Sequence, residues 1–143
     1  LADAESSGKI YIPPYDDRDV IAGQGTVGLE IMNQLPDADA VVVPVGGGGL
    51  ASGIAVAVKS INPDCRVYAV EPETAASMKE SVKAGKPIEL TSADTIADGT
   101  AVKKPGDLTY KICSSLCDGF ITVSEDDIKS AIIVFIFALI EEI

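Results

Sequence analysis

The 143-residue sequence contains no histidine and no tryptophan, and it has only three cysteines. Cys113 and Cys117 are four residues apart, so they share a face if they lie on a helix. The lack of histidine and of a third cysteine nearby disfavours a zinc site, and we expect buried, apolar thiols instead. An odd and sparse cysteine count also argues against a disulfide framework and favours a reducing compartment, the cytoplasm.

Basic residues are scarce as well: 11 Lys and Arg stand against 22 Asp and Glu, which gives a formal charge of −11. Such a chain has no general attraction for nucleic acid or for an anionic membrane, so neither is expected as a partner. Any bound phosphate must be held mainly by backbone dipoles. The longest apolar run, Ala131 to Ile140, is shorter than the ~20 residues that cross a bilayer, and we predict a core helix there.

The sequence is rich in glycine at one place, Gly46 to Gly49, between a β-branched run at Val41–Val43 and a helical apolar pattern that continues to Ile61. A strand that ends in glycines and opens a helix gathers free backbone N–H groups and the positive end of the helix dipole at one point. This arrangement predicts an anion site, usually for phosphate, and residues without side chains leave room for the anion. The alternative is a flexible turn before a core helix.

Strands and helices alternate along the whole sequence. This order predicts an α/β fold with an open, mainly parallel sheet of about four strands and helices on both faces, in three layers. The predicted strands are Lys9–Ile12, Val41–Val43, Arg66–Val70 and Gly119–Val123. The predicted helices are Leu1–Ser7, a short turn that ends at Ile21, about Gln24–Leu35, Leu50–Ile61, about Thr74–Ala84, Asp107–Leu116 and a last helix that follows Ser124. Asp16, Asp17 and Asp19 can cap the short turn, and Ser124 caps the last helix with Asp127 completing a capping-box-like pattern. Ligands of such sheets bind at the carboxyl ends of the strands, where the glycine run, Glu71 and Ser124 fall.

Residues Gly23 to Gly28 read GQGTVG and match the dinucleotide pattern GxGxxG. That pattern needs a hydrophobic strand directly before it, whereas Asp16 to Ala22 are polar and helical in character. Close helix packing is therefore the favoured interpretation of these glycines, and NAD binding is the alternative.

A second candidate site follows the third predicted strand. Glu71, Ala75 and Ser77 offer one carboxylate, a nearby backbone carbonyl and one hydroxyl, an all-oxygen set of the kind that hard cations prefer. A single negative charge favours a weakly held or monovalent ion. On spacing alone, capping of a helix by Glu71 and Ser77 is equally consistent.

Four segments occur in order along the chain: AGQGT from Ala22, VVVPVGGGGLASGIA from Val41, VEPE from Val70 and TIADGTAVKKPG from Thr95. Together they resemble the fold-type II pyridoxal-phosphate enzymes, over nearly the whole chain. Within that family they are most similar to the catabolic threonine/serine dehydratases (ammonia-lyases), with serine racemase as a near sister.

The resemblance implies roles for particular residues. Those implied to bind pyridoxal phosphate are Gly46, Gly47, Gly48, Gly49, Leu50 and Gly99. The four glycines and the N–H of Leu50 would hold the phosphate, and Gly99 would border the pyridine ring.

The family's cation site also has a counterpart here, in Glu71, the carbonyl of Ala75, and Ser77. Serine at the third position is similar to serine dehydratases, which hold a monovalent ion, whereas serine racemases usually have aspartate there. Potassium or sodium is therefore implied, and magnesium less so.

Two parts of the family's pattern have no counterpart in this sequence. The lysine that forms the Schiff base lies upstream in an SFKxRGA-type motif, and the serine that contacts the pyridine nitrogen lies downstream in an SGGN-type segment. Residues 1–15 are therefore interpreted as the exit from the small domain, and residues 16–143 as the central part of the large cofactor-binding domain. Both ends look cut, and we expect a fragment that is inactive by itself.

For the complete protein, the resemblance implies β-elimination: threonine would give 2-oxobutanoate and ammonia, and serine would give pyruvate and ammonia. Family members are commonly dimers or tetramers, so a homo-oligomer is expected. The alternatives are serine racemase or another sister enzyme such as a sulfhydrylase and, in a different class, a non-catalytic anion-binding module.

Overall fold

The computed structural model describes residues 2–141, and the side chains of residue 4 and residues 6–138. Leu1, which we assigned to the first helix, and the last two residues lie outside that range. The helices and strands are, in chain order, α1 (Ala2–Ser7), α2 (Arg18–Gln34), β1 (Ala40–Pro44), α3 (Gly49–Ile61), β2 (Arg66–Pro72), α4 (Ser77–Ala84), α5 (Asp107–Leu116), β3 (Gly119–Val123) and α6 (Glu125–Glu141). Short 3₁₀ turns lie at Glu73–Ala75 and Asp98–Thr100. No helix in the described range is long and apolar enough to cross a membrane.

The three strands form one parallel sheet in the order β1-β2-β3. Alternate residues of β1 and β2 are buried, and they build the core together with apolar residues of α3. Val43, Val67 and Ala69 are at most 1% exposed on the sheet side, as is Val58 on the helix side. The predicted α/β class with an open parallel sheet is confirmed.

Two details of the observed sheet differ from the prediction. Lys9–Ile12 is irregular, because Ile10 and Ile12 are 90% and 70% exposed and bury too little surface to offset the cost of ordering a strand. The second covering layer is not seen among residues 2–141, where α3 packs on the face with the buried residues. On the opposite face, Val42 is 64% exposed and Ile121 is 44% exposed.

Helix α2 is a single helix that runs through GQGTVG, without the break that we predicted before Gln24. Tertiary packing outweighs the low helix propensity of its glycines. A Cβ atom on Gly25 would lie 3.2 Å from the carbonyl oxygen of Gly53, and one on Gly28 would lie 2.9 Å from the Cβ of Ala57. The glycines therefore let α2 approach α3 closely, which confirms the helix-packing interpretation of this segment.

The last helix, α6, is not the core helix that we predicted. Its apolar side chains from Ile132 to Phe137 are 48% to 69% exposed, because no other described element packs closely against this part of the helix. Its start is as predicted: the N–H of Asp127 donates to the hydroxyl of Ser124 at 3.1 Å, and the N–H of Ser124 donates to the Asp127 carboxylate at 3.1 Å. The prediction of buried thiols holds for Cys113 and only in part for Cys117.

Candidate functional site

The glycine run connects β1 to α3 as predicted. Val45 is buried, and its N–H donates to the carbonyl of Val70 at 2.8 Å, which fixes the end of β1 against β2. Gly48 is the N-cap of α3 and has φ of +96°, a conformation that residues with a Cβ rarely adopt. The first hydrogen bond of α3 runs from Ser52 N–H to the Gly48 carbonyl at 2.9 Å, so the N–H groups between these residues precede the helical ladder.

All six residues predicted to bind the cofactor line one cavity of about 550 Å³. Gly46 to Gly49 and Leu50 form one wall, and the 3₁₀ turn that contains Gly99 forms another. Tyr15 and Gln24 also line this cavity, although the sequence pattern did not indicate them. A single space thus joins free backbone N–H groups with a loop that is distant in sequence.

Contacts with protein atoms, and not only room for an anion, explain why these positions are glycine. A Cβ atom on Gly46 would lie 3.0 Å from the Cα of Thr100, and one on Gly47 would overlap the ring of Tyr15. A Cβ atom on Gly49 would lie 3.0 Å from the Cβ of Tyr15. Our sequence-based reason for the four glycines was therefore incomplete, because neighbouring chain segments also need this space.

Helix α5 packs behind the glycine loop and contacts its carbonyl groups. The side chain of Thr109 is fully buried, and its hydroxyl donates to the carbonyl of Gly47 at 2.6 Å. The N–H of Gly106 donates to the same oxygen at 3.3 Å. One turn further along α5, Cys113 places its thiol 3.9 Å from the carbonyl of Gly48.

Asp16 caps α5 from the other end of the sequence. Its carboxylate accepts hydrogen bonds from the N–H groups of Asp107 at 3.0 Å, Leu108 at 2.9 Å and Thr109 at 3.2 Å. Negative charge at a helix N-terminus is stabilised by the helix dipole. Of the aspartates predicted to cap the helical turn that ends at Ile21, Asp17 does cap α2, whereas Asp16 caps α5 instead.

Tyr15 closes one side of the cavity next to this cap. Its hydroxyl donates to the carbonyl of Lys104 at 3.2 Å. Burial, followed by the negative charge of Asp16 and by Tyr11, raises the pKa of Tyr15 above its usual value of 10.0. The phenol therefore stays protonated and acts as a hydrogen-bond donor over the physiological pH range.

The three residues of the predicted cation set are all buried and lie where β2 meets α4. Glu71 is in β2, Ala75 ends a 3₁₀ turn, and Ser77 begins α4. The Glu71 carboxylate accepts the N–H groups of Met78 and Lys79, each at 2.8 Å, so it does cap α4. The hydroxyl of Ser77, in contrast, is a fully buried polar group without a hydrogen-bond partner among the described residues.

Burial dominates the electrostatics of this set and raises the pKa of Glu71 to about 7, against the opposing effects of the two backbone hydrogen bonds and of Lys79. A nearby cation would favour the charged carboxylate and lower that pKa. In the described range there is no group of three or more His, Cys, Asp or Glu side chains that could hold a metal, so any ion here has Glu71 as its one carboxylate and otherwise relies on carbonyl and hydroxyl oxygens.

A glycine loop at the carboxyl end of the first strand of a parallel α/β sheet is an arrangement that commonly binds phosphate. The family model for pyridoxal-phosphate dependent enzymes matches residues 1–136, and the chain belongs to that family.

Particular relatives are consistent with this assignment. The chain is 52% identical over 132 residues to the catabolic L-threonine dehydratase TdcB of Escherichia coli K12, a match that covers 92% of this chain and 40% of that protein. It matches the structure of threonine deaminase isoform 2 from Solanum lycopersicum with a TM-score of 0.85 and 48% identity, over 87% of this chain and 36% of that one. It matches maize serine racemase with a TM-score of 0.86 and 44% identity, over 90% of this chain and 40% of that one.

Proposed function

We propose that the protein carrying this chain is a pyridoxal-phosphate dependent ammonia-lyase that acts on threonine or serine. The observation that carries the proposal is the single cavity lined by Gly46 to Gly49, Leu50 and Gly99. Family membership and 52% identity to a catabolic threonine dehydratase support it. The chain spans about 40% of the length of that relative.

Each part of the cavity has a proposed task. The N–H groups at the start of α3 hold the phosphate, since they precede the helical ladder and lie at the positive end of the helix dipole. Gly99 borders the ring, and Tyr15 covers the loop on the side of Gly47. When bound, pyridoxal phosphate supplies an electron sink that supports loss of the α-proton and of the β-hydroxyl group of the amino acid.

The binding proposal is tested by calorimetric titration of the 143-residue chain with pyridoxal phosphate. Gly47→Asp is the test variant, because it adds a negative charge and a side chain at the loop. Gly23→Asp is the matched control, because a Cβ atom at Gly23 has no neighbour within 4 Å. We expect saturable binding by the wild type and the control but not by Gly47→Asp. Equal binding by Gly47→Asp, or no binding by the wild type, would contradict the proposal.

We also propose that Glu71, the carbonyl of Ala75, and Ser77 hold a monovalent cation, potassium or sodium. The partnerless buried hydroxyl of Ser77 next to a buried carboxylate supports this, because an ion would satisfy the hydroxyl oxygen and offset the cost of burying the charge. Potassium should therefore raise the melting temperature of the wild type more than magnesium does. Ser77→Asp adds a carboxylate and should reverse that order; the same order in both proteins would contradict the assignment.

The reaction is tested by product analysis. The sequence has no match to the family's lysine motif, so the 143-residue chain should release no ammonia from L-threonine, and detectable release would contradict this. For the complete protein we expect a 2-oxo acid and ammonia from threonine or serine. Serine racemase is the second candidate, favoured by the TM-score of 0.86 to the maize enzyme, and formation of D-serine as the main product would select it.

The cellular compartment and the oligomeric state of the protein are also proposed. We infer a cytoplasmic homo-oligomer, because its three cysteines are unpaired and because family members commonly form dimers or tetramers. Mass measurement of the complete protein in solution tests the oligomer.

A further inference from the structure

The Gly47–Gly48 peptide lies between the cavity and helix α5. Gly47 and Gly48 both line the cavity, while the Gly47 carbonyl accepts hydrogen bonds from Thr109 and Gly106 behind the loop and the Gly48 carbonyl accepts one from the Ser52 N–H of α3. The peptide bond between them is trans, so its C=O and N–H point in opposite directions. Whatever fixes the direction of the Gly47 carbonyl therefore also fixes the direction of the Gly48 N–H.

The strongest contact that fixes this peptide comes from Thr109. Its hydroxyl is fully buried and lies 2.6 Å from the Gly47 carbonyl oxygen, at the short end of hydroxyl hydrogen bonds. A second acceptor, the carbonyl of Gly106, is more distant at 3.3 Å, so the single hydroxyl proton is directed at Gly47. The other donor to Gly47, the N–H of Gly106, is also at 3.3 Å.

The backbone around this contact can rotate unusually easily, and the contact must restrict that rotation. Gly48 has φ of +96°, and its neighbours are glycines, whose peptide groups rotate more easily than those of other residues. Helix α5 meets this segment with two side chains one turn apart: Thr109 contacts the Gly47 carbonyl, and Cys113 contacts the Gly48 carbonyl more weakly at 3.9 Å.

We propose that Thr109 is a positioning residue that orients the Gly47–Gly48 peptide so that the Gly48 N–H faces the anion in the cavity. This inference rests on the proposed function, since it takes the cofactor phosphate as the anion. Thr109 itself does not touch the ligand; it acts through the carbonyl of Gly47.

The test compares pyridoxal phosphate with pyridoxal, which lacks the phosphate, as ligands of the 143-residue chain. Thr109→Val keeps the shape of the side chain and removes the hydroxyl, and it should lower the preference for the phosphorylated ligand roughly tenfold. Thr109→Ser restores the hydroxyl and should restore the preference. Thr26→Val is the matched control, because it removes a hydroxyl that donates to a backbone carbonyl at 2.8 Å on the exposed surface of α2.

The ratio of the affinities for pyridoxal phosphate and pyridoxal separates positioning from a merely structural role. General loosening of the fold weakens the binding of both ligands alike and leaves this ratio unchanged. An unchanged ratio in Thr109→Val would overturn the inference while leaving the proposed function intact. A wild type that binds both ligands equally would overturn the proposed function and the inference with it. If Thr109→Val does not fold, Thr109→Cys replaces it, and a wild-type ratio in that weak donor would equally overturn the inference.

Discussion

Replacement of Gly53 by alanine should destabilise the chain, whereas the same replacement at Gly23 should stabilise it. Gly53 lies in the middle of α3, where that helix crosses α2. A Cβ atom at this position would overlap the carbonyl of Ile21 and would lie 2.5 Å from the backbone nitrogen of Gly25. All of these neighbours are backbone atoms, so no side chain can rotate away to make room.

The size of the effect follows from this geometry. To restore ordinary van der Waals contact, α2 and α3 must separate by roughly 1 Å, which forfeits much of the dispersion attraction along their interface. Overpacking of this kind costs ~3 kcal/mol, and the better helix propensity of alanine returns ~1 kcal/mol, for a net loss of ~2 kcal/mol. At Gly23, where a Cβ atom has no neighbour within 4 Å, only the gain from helix propensity applies.

Thermal unfolding followed by circular dichroism at the helix band measures both variants. For a chain of this size we expect the melting temperature to fall by ~8 °C in Gly53→Ala and to rise by ~4 °C in Gly23→Ala. A Gly53→Ala variant as stable as the wild type would refute the claim that glycines set the distance between α2 and α3. Equal shifts of one sign in both variants would refute it as well.

Three further predictions follow from contacts of acidic side chains. Asp16→Ala removes the cap of α5 and should cost ~2 kcal/mol of unfolding free energy, measured by urea denaturation; a loss no larger than that of an exposed Asp→Ala control would contradict this. The ion pair with Lys59, at 2.8 Å, holds the pKa of Asp118 below its usual 3.8. The ion pair therefore stabilises the folded state above pH 3.8, and this stabilisation is lost as the pH falls through the lowered pKa. Denaturation between pH 2 and 6 should show a stability difference between the wild type and Asp118→Asn of under ~1 kcal/mol, because the Asp118 side chain is 35% exposed, and that difference should vanish at low pH. Glu125→Ala removes the acceptor of the Ile96 N–H at 3.0 Å, and amide hydrogen exchange at Ile96 should become faster; unchanged exchange would show that this contact does not hold the loop.

The sequence predicted those parts of the molecule that short-range patterns determine. The valine run, the four glycines and the apolar helix lie where their order placed them, and the bounds of α5 and β3 are those predicted. The capping pair of Ser124 and Asp127 is likewise confirmed. In each case the physical cause lies within a few residues.

Long-range packing explains what the sequence did not predict. Lys9–Ile12 has the composition of a strand, but no strand of residues 2–141 lies beside it, and α2 continues through its glycines because α3 needs their space. Thr109 carries no local signal of its contact with Gly47, since 62 residues separate them. Asp16 likewise has no local signal of its contact with α5, since 91 positions separate it from Asp107.

The cap that Asp16 places on α5 has a consequence for the order of folding. Its three hydrogen bonds join residues 91, 92 and 93 positions apart, whereas the strand, glycine loop and helix between β1 and α3 are contiguous. Contacts that close long loops bear the largest entropic cost and are slow to form. We therefore expect the strand and helix on either side of the glycine run to form before the wall behind the loop, which requires Asp16 to meet α5. Ligand affinity should accordingly appear in the last kinetic phase of refolding, after most of the helical signal has returned.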